Sequence, residues 1–172
     1  MGNAAIPMNH DTDVANLFEQ MKKFDNSVLM TKTMDGMDHM HGRPMQIAAI
    51  DDGCAWFFTA IESNKVREAQ TDSEGYLVCQ EKRRQLVVRG VISMTKDRAR
   101  VDKYWTKQLE AWFPDGKDDP SVCLMKLEPR EGEYWDTTGT KGVTYLFETA
   151  KALVTGAKPK LDDRDMHGKV TV

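Results

Sequence analysis

HGRPMQIAAIDDGCAWFFTAIESNK, residues 41–65, is the stretch from which the fold is read. PMQIAAI and CAWFFTA are rich in β-formers and are separated by Asp51-Asp52-Gly53, so a hairpin is expected here. Arg43 is fixed ahead of Pro44, and Ser63-Asn64-Lys65 reads as the first turn of a helix. Arg43, Thr59, Ser63 and Lys65 therefore bracket two strands. Neighbouring strands can bring them around one anion, with Met45, Trp56 and Phe58 as a wall beside it. That is the chemistry of a site for a phosphorylated, flat, conjugated ligand. The same residues have a plainer reading, with Arg43 and Lys65 as solvated surface charges and Trp56 and Phe58 as core.

Outward from this stretch, the hydrophobic period alternates between strand and helix. Val14, Leu17, Phe18, Met21 and Phe24 form one apolar stripe, which predicts a helix over Thr12–Phe24. SVLMTKTM from Ser27 reads as a strand and DGMDHMHG as a loop. After the hairpin, Ser63 is placed to cap a short helix, NKVREAQ, with Val66 and Ala69 inward. GYLVCQE and RRQLVVRGVISMT follow as strands. In the second, Leu86, Val88, Gly90, Ile92 and Met94 face one way, and Gly90 suggests a bulge or a close approach. Asp97 opens a helix with the stripe Val101, Tyr104, Trp105, Leu109 and Trp112, ended by Pro114 and Gly116. SVCLMKLEP is a further strand, and GEYWDTT is a short seventh one or its continuation. Gly142–Thr155 is a last helix, and the tail KLDDRDMHGKVTV reads as polar and loose. About six strands joined in places by hairpins, with helices inserted irregularly, favour an antiparallel barrel with peripheral helices over a doubly wound sheet. The expected organisation is a flexible N-terminus over 1–11, one domain over 12–158 and a polar tail over 159–172.

Composition bounds the function. A length of 172 residues and 40% hydrophobic content suit a single domain with a real core. A net charge of −3 argues against general nucleic-acid binding, although a local basic pocket is compatible with it. The three cysteines, Cys54, Cys79 and Cys123, lack CxxC spacing and lie in apolar runs, as buried reduced thiols do. No apolar run is long enough to cross a membrane, and the first residues lack a secretory or myristoylation pattern. A cytoplasmic protein is the expectation.

A flavin-type cofactor needs cations and hydroxyls for its phosphate, an apolar slot for its ring, and a directed donor at the ring edge. Arg43, Thr59, Ser63 and Lys65 meet the first need. Met45, Trp56 and Phe58 meet the second, and Gln85 is an amide donor for the third. Ordinary surface and core remain the alternative. Asp38, His39 and His41 resemble a metal cluster in composition, yet share one loop with no further ligand spaced to complete it, so no metal is expected. No GxGxxG, Walker A or nucleophile-elbow motif occurs. Trp112-Phe113-Pro114 places two aromatics at a helix stop, where a ligand or a second subunit would have to cover them.

In order along the chain come Arg43-Pro44-Met45, Trp56-Phe57-Phe58-Thr59, Ser63-Asn64-Lys65, and Arg84-Gln85 ahead of Val87-Val88-Arg89-Gly90. This series resembles the pyridoxamine 5′-phosphate oxidase-like superfamily. Trp112-Phe113-Pro114-x-Gly116-x-Asp118-Asp119-Pro120 and Glu133-Tyr134-Trp135-Asp136 resemble its bacterial general stress protein branch. The resemblance spans about residues 12–158. It implies a mainly β, α+β fold: a six-stranded antiparallel split β-barrel with peripheral helices. It also implies a homodimer with FMN, or FAD as the alternative, in grooves at the subunit interface. Arg43, Pro44 and Met45 would line one groove, Phe58 and Thr59 would contact the ring and ribityl chain, and Ser63, Asn64 and Lys65 would lie at the phosphate. Gln85 would approach the flavin. Trp112, Phe113 and Gly116 would reach across from the second subunit, and Trp135 would close the ring side.

True pyridoxamine phosphate oxidases carry an Arg where this chain has Asn64, and an Arg-Leu-x-Pro segment near the end where this chain has Gly168-Lys169-Val170-Thr171-Val172. The vitamin B6 reaction is therefore disfavoured. A flavin-dependent oxidoreductase of unknown substrate in a general stress response leads. A module that binds FMN or FAD without turnover is the alternative, and a haem-handling split barrel is more distant.

Overall fold

The computed structural model describes residues 10–35, 39–138, 151 and 167–172. The helix expected over 142–155 therefore falls, Lys151 apart, outside the described residues. In chain order the elements are α1 (His10–Met21), β1 (Asn26–Lys32), β2 (Met40–Gln46), β3 (Ala49–Asp51), β4 (Cys54–Ala60) and α2 (Asn64–Thr71). Then follow β5 (Glu74–Glu81), β6 (Arg84–Thr95), α3 (Arg98–Tyr104), a 3-10 turn over Lys107–Ala111, β7 (Val122–Asp136) and β8 (His167–Thr171).

All pairings among these strands are antiparallel, in the order β2-β1-β5-β6-β7-β4-β3, with β8 also on β7. The sheet curls into a split β-barrel of α+β class. Its longest strand, β7, holds it together. One edge of β7 pairs with β6 over 124–136, while the other pairs first with β4 over 122–127 and then with β8 over 131–135. Pro129, which has no N–H to donate, falls in the gap between those two partners and opposite the β6 bulge at Arg89/Gly90.

The hairpin read from Asp51-Asp52-Gly53 is present. Asp52 and Gly53 both take positive φ, 49° and 69°, the backbone that joins twisted strands through two residues. Its first strand is shorter than expected. PMQ belongs instead to β2, which pairs with β1, and only Ala49–Asp51 pairs with β4. β4 reads as a continuous apolar run because both of its faces are covered. Ala55 and Phe57 enter the main core with Leu17, Met21, Leu77, Leu86 and Val88. Cys54, Trp56 and Phe58 enter a second core with Val101, Tyr104 and Phe113. Burying Phe57 alone stabilises the fold by about 1.5–3 kcal/mol.

Two expectations are corrected and one alternative is decided. Met40-His41-Gly42, read as loop, lies in β2; the polar composition suits this outermost strand, which is largely exposed. Of the two readings of GEYWDTT the continuation holds, because β7 runs through Pro129 to Asp136. The tail read as loose contains β8, whose Val170 is buried against the main core. The helix after Asp97 also stops early. Asp97 caps it through bonds to the Ala99 and Arg100 N–H groups, but Trp105 is extended and the chain re-forms as the 3-10 turn. Cys54, Cys79 and Cys123 are free and buried.

Candidate functional site

A cavity of about 600 Å³ opens between β2, β4, α2 and the 3-10 turn. Pro44 and Met45 line it from β2, Phe58 and Thr59 from β4, Lys65 from α2, and Trp112 and Phe113 from the end of the turn. Strand alternation alone would part Phe58 from Thr59, but both reach the cavity at the open end of β4. Phe58 meets Trp105 edge-on with ring centroids 5.4 Å apart, and Phe113 lies 6.1 Å from Trp105. The apolar wall is thus fixed by aromatic packing.

The polar end is built by the first turn of α2. Ser63 is the N-cap residue, but its side chain makes no capping bond; its Oγ lies 3.2 Å from Thr59 Oγ1. Lys65 Nζ donates to Thr59 Oγ1 at 3.1 Å. Among the described residues no carboxylate lies within ion-pair distance of Lys65 (4.0 Å). Burial, and then the charge of Arg43, hold its pKa below that of an ordinary lysine. A half-buried cation without a carboxylate partner among the described residues, bonded to a Thr59 hydroxyl that itself meets Ser63 at a helix start, is an anion receptor in chemical terms. The remaining ionisable group on the lining is Tyr104, whose hydroxyl donates to Asp51 at 2.5 Å.

Other expected site residues are placed differently. Arg43 turns away from the cavity: Nη2 meets Glu68 Oε2 at 2.5 Å and Nη1 meets Thr31 Oγ1 at 2.7 Å. Asn64 accepts from Arg67 at 2.5 Å. Gly116 forms a turn with φ 78°. Trp56 is buried under Arg100, whose guanidinium lies 4.7 Å from its ring, and is no part of the lining. Trp112 and Phe113, expected to reach into a second subunit, meet the cavity of their own chain; Phe113 is buried there while Trp112 stays 80% exposed.

Gln85 and Trp135 are cross-strand neighbours, and Trp135 stacks on His167 at 4.9 Å. Phe58 pairs with Leu124, so Trp135 lies eleven residues farther along β7, about 35 Å of extended strand. Neither Gln85 nor Trp135 lines the cavity. Asn26, Tyr104, Thr106 and Leu109 also line the cavity and were not anticipated, because Tyr104 and Leu109 read only as helix stripe. Glu68 was missed as well. Its one sequence signal is its position beside the inward Val66 and Ala69. Asp38 lies outside the described residues; His39 is 3.9 Å from Asp35 and His41 is 3.0 Å from Glu68. Among the described residues no three His, Cys, Asp or Glu side chains converge on a metal position, and no helix is long and apolar enough to cross a membrane.

Residues 12–160 match the family described as pyridoxamine 5′-phosphate oxidase like. The chain belongs to that family. Its similarity runs to the general stress proteins. It is 50% identical over 30 residues to General stress protein 26 of Bacillus subtilis, a match that spans 21% of that protein. A Jannaschia sp. CCS1 structure assigned to general stress protein 26 superposes with a TM-score of 0.72 at 25% identity, over 94% of this chain and 99% of that one. The general stress FMN/FAD binding protein of Xanthomonas citri superposes with a TM-score of 0.60 at 24% identity, over 76% and 92%. This second likeness is one of fold.

Proposed function

We propose that this protein binds a flavin, with FMN as the preferred form, and acts as a flavin-dependent oxidoreductase in a general stress response. The observation that carries the reading is Lys65. It is a half-buried cation without a carboxylate partner among the described residues, at the head of a cavity walled by Met45, Phe58 and Phe113. Lys65, Thr59 and Ser63, with the first N–H groups of α2, would hold the phosphate. Met45 and Phe58 would flank the ring, and Trp112 would cover its exposed side. When bound, the flavin supplies the electron chemistry itself. The described lining accordingly needs only to orient it and exclude water. The name of the Xanthomonas citri neighbour is consistent with this ligand.

The reading includes a homodimer. Gln85 and Trp135, displaced along the sheet from the cavity, would serve the ligand of a second copy. Val28, Val78 and Val87 form one register row from Pro44 of the lining to Glu133 on β7, with Met30 and Met40 beside it and Lys32, Asp72 and Glu74 at its margin, an apolar strip with a charged rim.

A visible spectrum of the purified protein, followed by titration with FMN, tests the binding. A flavin spectrum or saturable FMN binding is expected, and neither appearing would remove the proposal. Reduction of bound FMN by NADH or NADPH, with rapid reoxidation and turnover, is expected of an oxidoreductase. Bound flavin without turnover would instead assign a binding module.

A further inference from the structure

One turn of α2 beyond Lys65, side chains from two strands, β1 and β2, converge on one buried carboxylate. Glu68, on α2, is 3% exposed. Its Oε2 accepts from Arg43 Nη2 at 2.5 Å and from Thr31 Oγ1 at 2.6 Å, and its Oε1 lies 3.0 Å from His41 Nδ1. Burial raises the carboxyl pKa, and the bonds from Thr31, His41 and Arg43 outweigh this and bring it below the ordinary value. The group is therefore ionised and committed.

Lys65 precedes Glu68 by three residues on the same helix, a spacing that puts the two on neighbouring positions of one face. Yet Lys65 donates to Thr59, and Arg43 takes the carboxylate. Two cations and one anion thus stand together with a net charge of +1, and the anion is spent on the arginine. Were Glu68 neutral, the same three positions would carry +2, and the Arg43 side chain, next to the lining residues Pro44 and Met45 on β2, would be free to turn toward an anion.

We propose that Glu68 is a specificity-determining residue of this site: by holding Arg43 it leaves the ligand's phosphate to Lys65, and so limits the preference for a phosphorylated flavin over an unphosphorylated one. The proposal rests on the flavin reading above. It makes the site a moderate phosphate receptor by construction, one charge-assisted contact short of what its residues could provide.

Fluorescence titrations of FMN and riboflavin against the full chain give the ratio of the two Kd values, in which changes common to both ligands cancel. In Glu68→Gln the ratio should rise in favour of FMN by about tenfold or more. In the double variant Arg43→Met/Glu68→Gln, which removes the ion pair without leaving a lone buried charge, it should return to within about threefold of wild type. An unchanged ratio in Glu68→Gln, or a tenfold loss of FMN preference in the double variant, overturns the proposal. The double variant decides alone if Glu68→Gln does not fold. Wild-type protein that binds neither flavin overturns the flavin reading and this inference together, whereas FMN binding with an insensitive ratio removes only the inference.

Discussion

Replacing Lys65 by methionine keeps most of the unbranched side chain and removes its charge, and two opposite effects should follow. The first is on the ligand. A charge-assisted bond to phosphate contributes about 1.5–3 kcal/mol, so FMN affinity should fall about 10- to 150-fold. Riboflavin, which has no phosphate, should bind as before. The second effect is on the fold. Lys65 is half-buried, its side chain bonds to Thr59 Oγ1 at 3.1 Å, and burial followed by the Arg43 charge lowers its pKa. Between that lowered pKa and the ordinary lysine value, the unfolded chain binds more protons than the folded one. Stability therefore rises with pH there, and at neutral pH the charge is a cost. Lys65→Met should melt at the same temperature as flavin-free wild type or higher. Wild-type preference for FMN over riboflavin should in turn fade as pH rises through the lowered pKa, earlier than an ordinary lysine would allow. Isothermal titration with both flavins and calorimetric melting without flavin check these outcomes. Equal weakening of both flavins, together with a lower melting temperature, would make Lys65 a structural residue and refute the reasoning.

Three further outcomes are expected. A Cβ at Gly90 would sit 2.3 Å from the Glu128 backbone oxygen, which cannot yield as a side chain does, so Gly90→Ala should cost more than about 2 kcal/mol in urea unfolding. Hydrogen bonds from Lys103 and then Tyr104 hold the Asp51 carboxyl down at about 2, and Glu68 is also below its ordinary value. Both contribute stability that is present above the ordinary carboxylate range and lost as pH falls through the folded values, so denaturant midpoints should drop between pH 5 and pH 2. Trp112 is 80% exposed, so Trp112→Ala should leave stability within about 0.5 kcal/mol while weakening FMN and riboflavin alike by about fivefold. Unaltered flavin affinity would separate Trp112 from the site.

Much of the fold was legible where burial is one-sided or complete. The predicted stripe on β6 is the buried face: Leu86, Val88, Gly90 and Ile92 are inside, and the bulge falls at Gly90. The hairpin was legible because Asp52-Gly53 is suited to positive φ. The first part of β2, Met40-His41-Gly42, and all of β8 were not legible, since backbone pairing to β1 and β7 stabilises them whatever their polar side chains. The site was legible as a set of residue types. Met45, Phe58, Thr59 and Lys65 do share one cavity. What the sequence could not convey is competition between neighbours. Arg43 has the chemistry of a phosphate ligand, and its orientation depends on a carboxylate in a helix that begins twenty-one residues later.

The three buried cysteines give the molecule a built-in timer. Burial pushes the Cys79 thiol up to about 12 and the Cys123 thiol up to about 11, and it raises that of Cys54 as well. Alkylation and disulfide exchange require a thiolate within reach of the reagent, which none of these three offers while the sheet is intact. Each belongs to a strand held by neighbours on its edges. An iodoacetamide pulse therefore marks molecules that have opened, and the rate of mass gain in excess reagent reports how often the native sheet comes apart without any added probe.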